Sequence, residues 1–234
     1  MIYLVPVMTQ IFNNNDLVRM NSVLRHRLGN QISGIKNAVS LLAEELDGKV
    51  SPSIQEYFPL IIKECGSMDE MMKRMSLLFD AVQSGVSMKL QDLLKSITGE
   101  LHSQYPKINI QSSASCDPAA VRLGNSHAAS VAVREVCRNA AEAGGSGLNI
   151  ECSATDADVE ILVSDNGKGV PADKLPLVFD PFFTTKSRHI GIGLSIARKM
   201  IESMGGSIKV SNGKEAGTVV SLVCPLSRRE VDCG

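Results

Sequence analysis

With 234 residues, 44% of them hydrophobic and 21% charged, the chain has material for one large or two modest domains with real cores. A formal net charge of -1 gives no electrostatic case for a nucleic-acid partner. No run approaches the roughly 18 apolar residues of a membrane span, and the opening MIYLVPVM is too short and uncharged for a secretory signal, so the expectation is a soluble, cytoplasmic protein. Six cysteines are scattered without a CxxC pair or a His/Cys cluster, which reads as reduced thiols rather than a zinc site or a disulfide framework.

Residues 1–15 form a short N-terminal segment. Asp16 is of a suitable type for an N-cap, and the chain then runs without proline to Gly48, a stop signal. Leu24, Leu28, Gln31, Ile35, Ala38 and Leu42 recur at alternating steps of four and three, a seam broken once by a polar residue. After DGKVSPS a second segment carries Ile54, Phe58, Ile61, Cys65, Met68, Met72, Met75, Phe79 and Val82 at the same spacing. Two such helices joined by a polar turn make an antiparallel hairpin. Further apolar residues off the seam, Tyr57, Ile62, Met71 and Leu78, predict that two hairpins pair as a four-helix bundle. On this wheel His26 falls opposite the seam and points to water, with Asn30 one turn further on nearly the same face.

QSGVS marks a break, so that residues 16–85 form one domain, 86–226 a second, and 227–234 a tail. The second domain predicts a short strand (86–90), a helix (92–105), a strand (108–112) and a helix (126–143). Two alternating strands (148–154, 159–163), a loop-rich stretch, a helix (194–204) and strands around Ile208 and Val219 follow. The class is α+β, with the second domain a two-layer α/β sandwich.

Four stretches there each suggest a chemical task. In REVCRNAAEA (134–143), Glu135 and Asn139 share a helix face, and an asparagine carbonyl beside phosphate suits Mg²⁺. In DNGKGV (165–170), Asp165 at a strand end can accept from an exocyclic amine such as that of adenine, while Gly167 and Gly169 permit close approach. FDPFFTTK (179–186) is an apolar anchor, a hinged cover or core packing. In GIGLSIARKM (191–200), Gly191 and Gly193 precede a helix whose bare amides favour phosphate.

This order resembles the N, G1, F and G2 boxes of sensor histidine kinases, in the Bergerat-fold ATPase superfamily that also holds gyrase, heat-shock chaperones and mismatch-repair ATPases. GTVVSLVCP, with Gly217 and Thr218, resembles the last box of the pocket, and the upstream hairpin is similar to the dimerisation and phosphotransfer domain of those kinases. The resemblance implies that Asp165 binds the adenine amine, Asn139 ligates Mg²⁺, Gly167 and Gly169 shape the pocket, and Gly191 with Gly193 backs the phosphates of ATP. Leu194 and Thr218 complete the implied nucleotide-binding set, and Lys186 or Arg188 approaches the γ-phosphate. It makes His26 the phosphoacceptor. In the largest class of these kinases an acidic residue follows the histidine and a proline closes the box; here Arg27 and Gln31 stand there, and His26-Arg27-x-x-Asn30 resembles a smaller class. Asn30 would help position a water for dephosphorylation of the partner. In hydrolytic members a glutamate at the position of Glu135 is the general base.

The implied function is a homodimeric histidine kinase that passes phosphate to an aspartate of a response-regulator receiver domain. With about 15 residues ahead of the first helix, input comes from a separate sensor protein or from a sensor segment absent from this sequence. A scaffold or phosphotransferase without ATP, a hydrolytic ATPase, and a serine kinase acting on an anti-sigma partner are the alternatives.

Overall fold

The heptad spacing of the first eighty residues yields two long helices. The structure, a computed structural model, describes residues 14–82, 86–186 and 189–227, without the side chains of residues 14–18 and 20. Asp16, Arg188, Cys233, and most of the N-terminal segment and tail therefore lie outside what is described, except that the backbone at Asp16 is within a helix and not ahead of it. Contacts divide the chain into two units, Met1–Ala81 and Val82–Gly234, taken separately below.

In the first unit, α1 (Asn14–Glu45) and α3 (Tyr57–Phe79) pack on each other, with a four-residue helix α2 (Pro52–Gln55) in the connection. Gly48 turns the chain with φ +67°. The face of α1 that meets α3 carries Ile32 and Val39, 3% and 9% exposed, with Gly29, Lys36 and Ala43 half-buried along the same line. This corrects the expected seam, for Leu24 and Ile35 are each 50% exposed, and Leu28 and Leu42 are exposed beside them. At about 100° per residue the two lines lie about 90° apart on the helix. Both have the same four-three spacing, so periodicity does not tell which one the neighbouring helix of the same chain covers. The partner seam of α3 splits the same way: Cys65 is buried and Phe58 and Met72 half-buried, whereas Ile54, Ile61 and Met68 are exposed.

The second unit is a helix layer on one face of a mixed sheet. Its sheet has the order β2 (Asn109–Ala114), β4 (Gly147–Ala154), β5 (Asp158–Asp165), β7 (Thr218–Pro225), β6 (Ser207–Asn212). β2 and β4 are parallel and the other neighbours antiparallel. Alternation decides the faces. Leu148, Ile150 and Cys152 of β4, Val159, Ile161 and Val163 of β5, and Val220, Leu222 and Cys224 of β7 are all buried, while the residues between them are not.

Over this face lie α4 (Leu90–Gln104), α5 (Ser126–Ala141) and α6 (Gly193–Ser203). α4 inserts Leu90, Leu93, Ile97 and Leu101 at steps of three and four. α5 buries Ala128, Ala129, Ala132 and Ala140, whose small side chains let α6 pack closely along it, and Asn125 caps it by accepting from the Ala128 amide at 3.1 Å. A two-residue pair outside the main sheet, β1 (Met88–Lys89) with β3 (Arg122–Leu123), is too short for any periodicity to announce β3. Burial pushes the free thiols of Cys137, Cys152 and Cys224 up to about 12, which leaves them as unreactive core groups.

One backbone contact fixes the floor of this unit. Gly217 has φ +76°, and a Cβ there would run into the Asp165 carbonyl oxygen. Gly217→Ala should destabilise the second unit by about 2–4 kcal/mol through left-handed strain and overlap combined, read as a lowered midpoint in urea unfolding. An unchanged midpoint would show that the strand end relaxes freely.

Candidate nucleotide-binding site

Glu135 and Asn139 of α5 and its C-cap Glu142 follow one another at steps of four and three, so the helix and its end present them along one side. Opposite them stands the amino end of α6. A Cβ on Gly193 would lie 2.9 Å from Asn139 Nδ2 and 3.0 Å from Glu135 Oε2. Only a residue without a side chain lets the α6 amides come this close to the two polar groups. No side chain caps that end: Ile192 precedes it in helical conformation. Uncapped first-turn amides and the positive end of the helix dipole suit that end to a phosphate.

Gly191 has another task. Its φ is +75°, it accepts from the Phe182 amide at 2.8 Å, and a Cβ would strike the Phe183 carbonyl. The structure thus separates the two glycines: Gly193 faces Asn139, and Gly191 closes the backbone of the phenylalanine stretch. Phe182 itself has φ 69°, unusual for a residue with a side chain. Leu194 is half-buried in the first turn of α6.

At the other end of the site, Asp165 closes β5. Its Oδ1 accepts from the Gly167 amide at 2.8 Å, and the Thr218 amide and hydroxyl also bond to the carboxylate. A Cβ on Gly167 would meet the Ala143 Cβ and carbonyl oxygen at 2.7 Å, so the turn passes α5 at contact distance. Half-burial raises the Asp165 pKa above the usual carboxylate range, against the opposing pull of the Gly167 and Thr218 hydrogen bonds and of the Lys186 charge.

Two asparagines hold this turn, and spacing did not reveal either. Asn166 Oδ1 accepts from the Ser146 and Gly147 amides, both at 2.9 Å. Asn212, 42 residues away in sequence, accepts from Val170 N at 2.9 Å and donates to Val170 O at 2.7 Å. It sits beside Gly169 (φ +69°), where a Cβ would approach its Oδ1 to 3.1 Å. Asn166 could have been suspected from its Asn-Gly turn; nothing local marks Asn212.

The charges are already paired. Glu135 is 5% exposed, and its carboxylate is bound by the Arg138 guanidinium one turn on. Lys186 donates to the Asn139 carbonyl at 3.1 Å and lies 3.8 Å from Glu142. Burial lowers the Lys186 pKa, while Glu142 and Asp165 act to raise it. Among the described residues no cluster of three or more His, Cys, Asp or Glu could hold a metal by itself. The donor set instead suits a cation that keeps its waters and substrate oxygens and takes one protein carbonyl, as Mg²⁺ does with nucleotides.

In the first unit His26 and Asn30 are both exposed, and the Asn30 amide stands 3.5 Å from His26 Nδ1. Just before them, Arg25 pairs at 3.4 Å with Asp80, the residue that caps the carboxyl end of α3. The structure thus places His26 and Asn30 together, and Glu135, Asn139, Asp165, Gly167, Gly169, Lys186, Gly193, Leu194 and Thr218 around the second unit's site.

Helix layer, mixed sheet, glycine-bounded turn and uncapped α6 define the ATP-binding architecture of the Bergerat ATPases. Residues 124–228 match the family described as histidine kinase-, DNA gyrase B-, and HSP90-like ATPase. The chain is 26% identical over 212 residues to sporulation kinase D of Bacillus subtilis (strain 168), across 86% of this chain and 40% of that kinase's length. Its fold is similar to part of that of full-length ShkA solved with AMPPNP (TM-score 0.76, 18% identity, 89% of this chain and 46% of that one). It is likewise similar to part of that of the histidine kinase ThkA solved in complex with the response regulator TrrA (TM-score 0.62, 19% identity, 93% and 65%). Residues 124–228 thus carry an ATP-binding domain of that family, and the chain is similar to the catalytic cores of sensor histidine kinases. Among the described residues no helix is long and apolar enough to cross a membrane.

The raised Asp165 pKa sets a pH dependence. The folded state binds the proton more tightly than the unfolded chain, so its stability falls as pH rises from the ordinary carboxylate range through the elevated value. Asp165→Asn removes the titrating group and should abolish this component of the slope in pH-resolved thermal unfolding of the nucleotide-free protein. A slope unaltered by the substitution would assign it to other carboxylates.

Proposed function

We propose that this chain is the catalytic part of a two-component histidine kinase, in which His26 takes the γ-phosphoryl group of ATP and passes it to a receiver-domain aspartate. The observation that carries the reading is an exposed histidine on a helical hairpin, its Nδ1 turned to Asn30, in the same chain as a Bergerat ATP-binding domain. Asp165 receives the adenine amine, Gly167 and Gly169 let the base approach, and the α6 amides at Gly193 and Leu194 receive the phosphates. Gly191 and Thr218 act through geometry, one by shaping the loop ahead of α6 and the other by holding Asp165. Mg²⁺, held by Asn139 and substrate oxygens, would supply charge neutralisation at the transferring phosphate.

Transfer to the ring forms one N–P bond and breaks one P–O bond. The His26 Nε2 lone pair attacks the γ-phosphorus, ADP departs with the bridging oxygen's electron pair, and the imidazolium then sheds its Nδ1 proton to solvent. An Nε2 lone pair requires that the proton sit on Nδ1 beforehand. Asn30 can supply the matching acceptor only with its amide oxygen toward the ring. It can orient the imidazole but, unlike a carboxylate, it takes no proton. With water in place of ATP, the same exposed pair supports phosphatase action on the receiver.

Dimerisation follows from the apolar line left uncovered on α1. Leu24, Leu28, Ile35 and Leu42 with Ile54 of α2 and Ile61 and Met68 of α3 would close a four-helix bundle with a second copy, each large side chain contributing about 1 kcal/mol as its exposed part is buried. His26 points away from both apolar lines, so the bundle leaves it accessible. Hydrolysis is the weaker reading, because the Glu135 carboxylate is engaged by Arg138 and would have to leave that pair to activate water.

Incubation with γ-labelled ATP and Mg²⁺ should give acid-labile, base-stable label in the wild type and none in His26→Gln. Label retained in the variant would remove His26 from its role, and equal phosphate release by both proteins would establish an ATPase. Leu28→Glu with Ile35→Glu should convert a dimer to a monomer in sedimentation analysis while leaving the nucleotide domain folded. A wild-type monomer would overturn the bundle.

A further inference from the structure

Glu142 belongs to none of the roles above, yet three side chains from two other segments converge on its carboxylate. Its Oε2 lies 3.3 Å from His189 Nδ1 and 3.8 Å from Lys186 Nζ, and its Oε1 accepts from the Tyr105 hydroxyl at 3.3 Å. The residue stands immediately after Ala141, at the carboxyl end of α5. A carboxylate there opposes the helix dipole and adds negative charge to unsatisfied carbonyls. A cation nearby offsets that placement, and Lys186, at the end of the phenylalanine stretch, supplies one.

Lys186 links the two sides. Its ammonium donates to the Asn139 carbonyl in the last turn of α5, a helix-terminal oxygen, and thereby stands beside the residue suited to the metal. We propose that Glu142 is a positioning residue for the terminal phosphate: it holds Lys186 against the end of α5, beside Asn139, where a triphosphate needs a cation and a diphosphate does not. The proposal rests on the nucleotide-binding part of the reading above and not on phosphotransfer to His26.

The charge balance explains why an acid is needed. Lys186 is half-buried, Arg138 of α5 is a like charge in its surroundings, and Glu142 and Asp165 are the acids that face it. Asp165 is given to the base, which leaves Glu142 as the standing counter-charge. The Tyr105 hydroxyl, from just beyond α4, fixes the other carboxylate oxygen and limits the rotamers available to Glu142.

The test compares affinity for Mg·ATP and Mg·ADP, measured by displacement of a fluorescent nucleotide from the full chain. Glu142→Gln should weaken ATP binding about fivefold and leave ADP binding within twofold. Lys186→Ala should do the same, and the double variant should bind ATP no more than twofold worse than Lys186→Ala, since both changes remove one interaction. Glu142→Asp should recover part of the ATP preference. Equal weakening of ATP and ADP would make Glu142 a structural prop. Fully additive losses, or unchanged or tighter ATP binding by Glu142→Gln, would also overturn the proposal. Absence of label on His26 alongside a retained, Glu142-dependent preference for ATP would defeat the kinase reading and leave this inference standing.

Discussion

The second unit depends on one close approach, that of a side-chain-free helix start to a polar helix face. Gly193 brings the amides of α6 against Glu135 and Asn139, and any larger residue would have to displace one of them. From that contact the rest of the site can be derived. α5 must carry alanines so that α6 can lie along it, Asn139 must follow Glu135 by one turn, and Phe182 must meet Gly191 through their backbone hydrogen bond to deliver α6 in the right place. The β5 and β7 ends meet across Gly217 and set Asp165 at the opposite wall. The uncapped start of α6 and the Asp165 carboxylate are thus set at the two ends of one site by backbone geometry, with few dedicated side chains.

The hairpin solves a different problem. Each of its long helices carries two apolar lines about a quarter turn apart, and one chain covers only one line on each. A helix with two adjacent sticky faces is what a four-membered bundle requires, since every helix there has two neighbours. His26 and Asn30 are placed beyond both lines. The exposure that makes a lone histidine unremarkable is what a group serving a nucleotide and then a partner protein needs.

Much of this was legible in the sequence, for physical reasons that differ between the parts. Alternation of buried residues in β4, β5 and β7 follows from a single covered sheet face, so the strands declared themselves; β3, two residues long, had no period to show. Gly193 and Gly167 stood out because a glycine at a helix start or after a strand end has a steric meaning. The seam of α1 was assigned to the wrong neighbour, because two lines of identical spacing run side by side and differ only in what covers them. Asn212 and Glu142 were invisible, since their partners, Val170 for one and Lys186, His189 and Tyr105 for the other, are brought to them only by the fold. Glu135 was read correctly as sharing a face with Asn139, but its ion pair with Arg138 changes what its carboxylate can do.

The central claim is that the ring nitrogen of His26 remote from Asn30 is the atom that receives phosphate. Phosphorus NMR of the freshly phosphorylated protein, combined with peptide mapping under alkaline conditions, tests it directly. The account predicts one phosphoramidate, substituted at Nε2, in the peptide that contains His26. Phosphate at Nδ1, on another side chain, or found only as inorganic phosphate would contradict it.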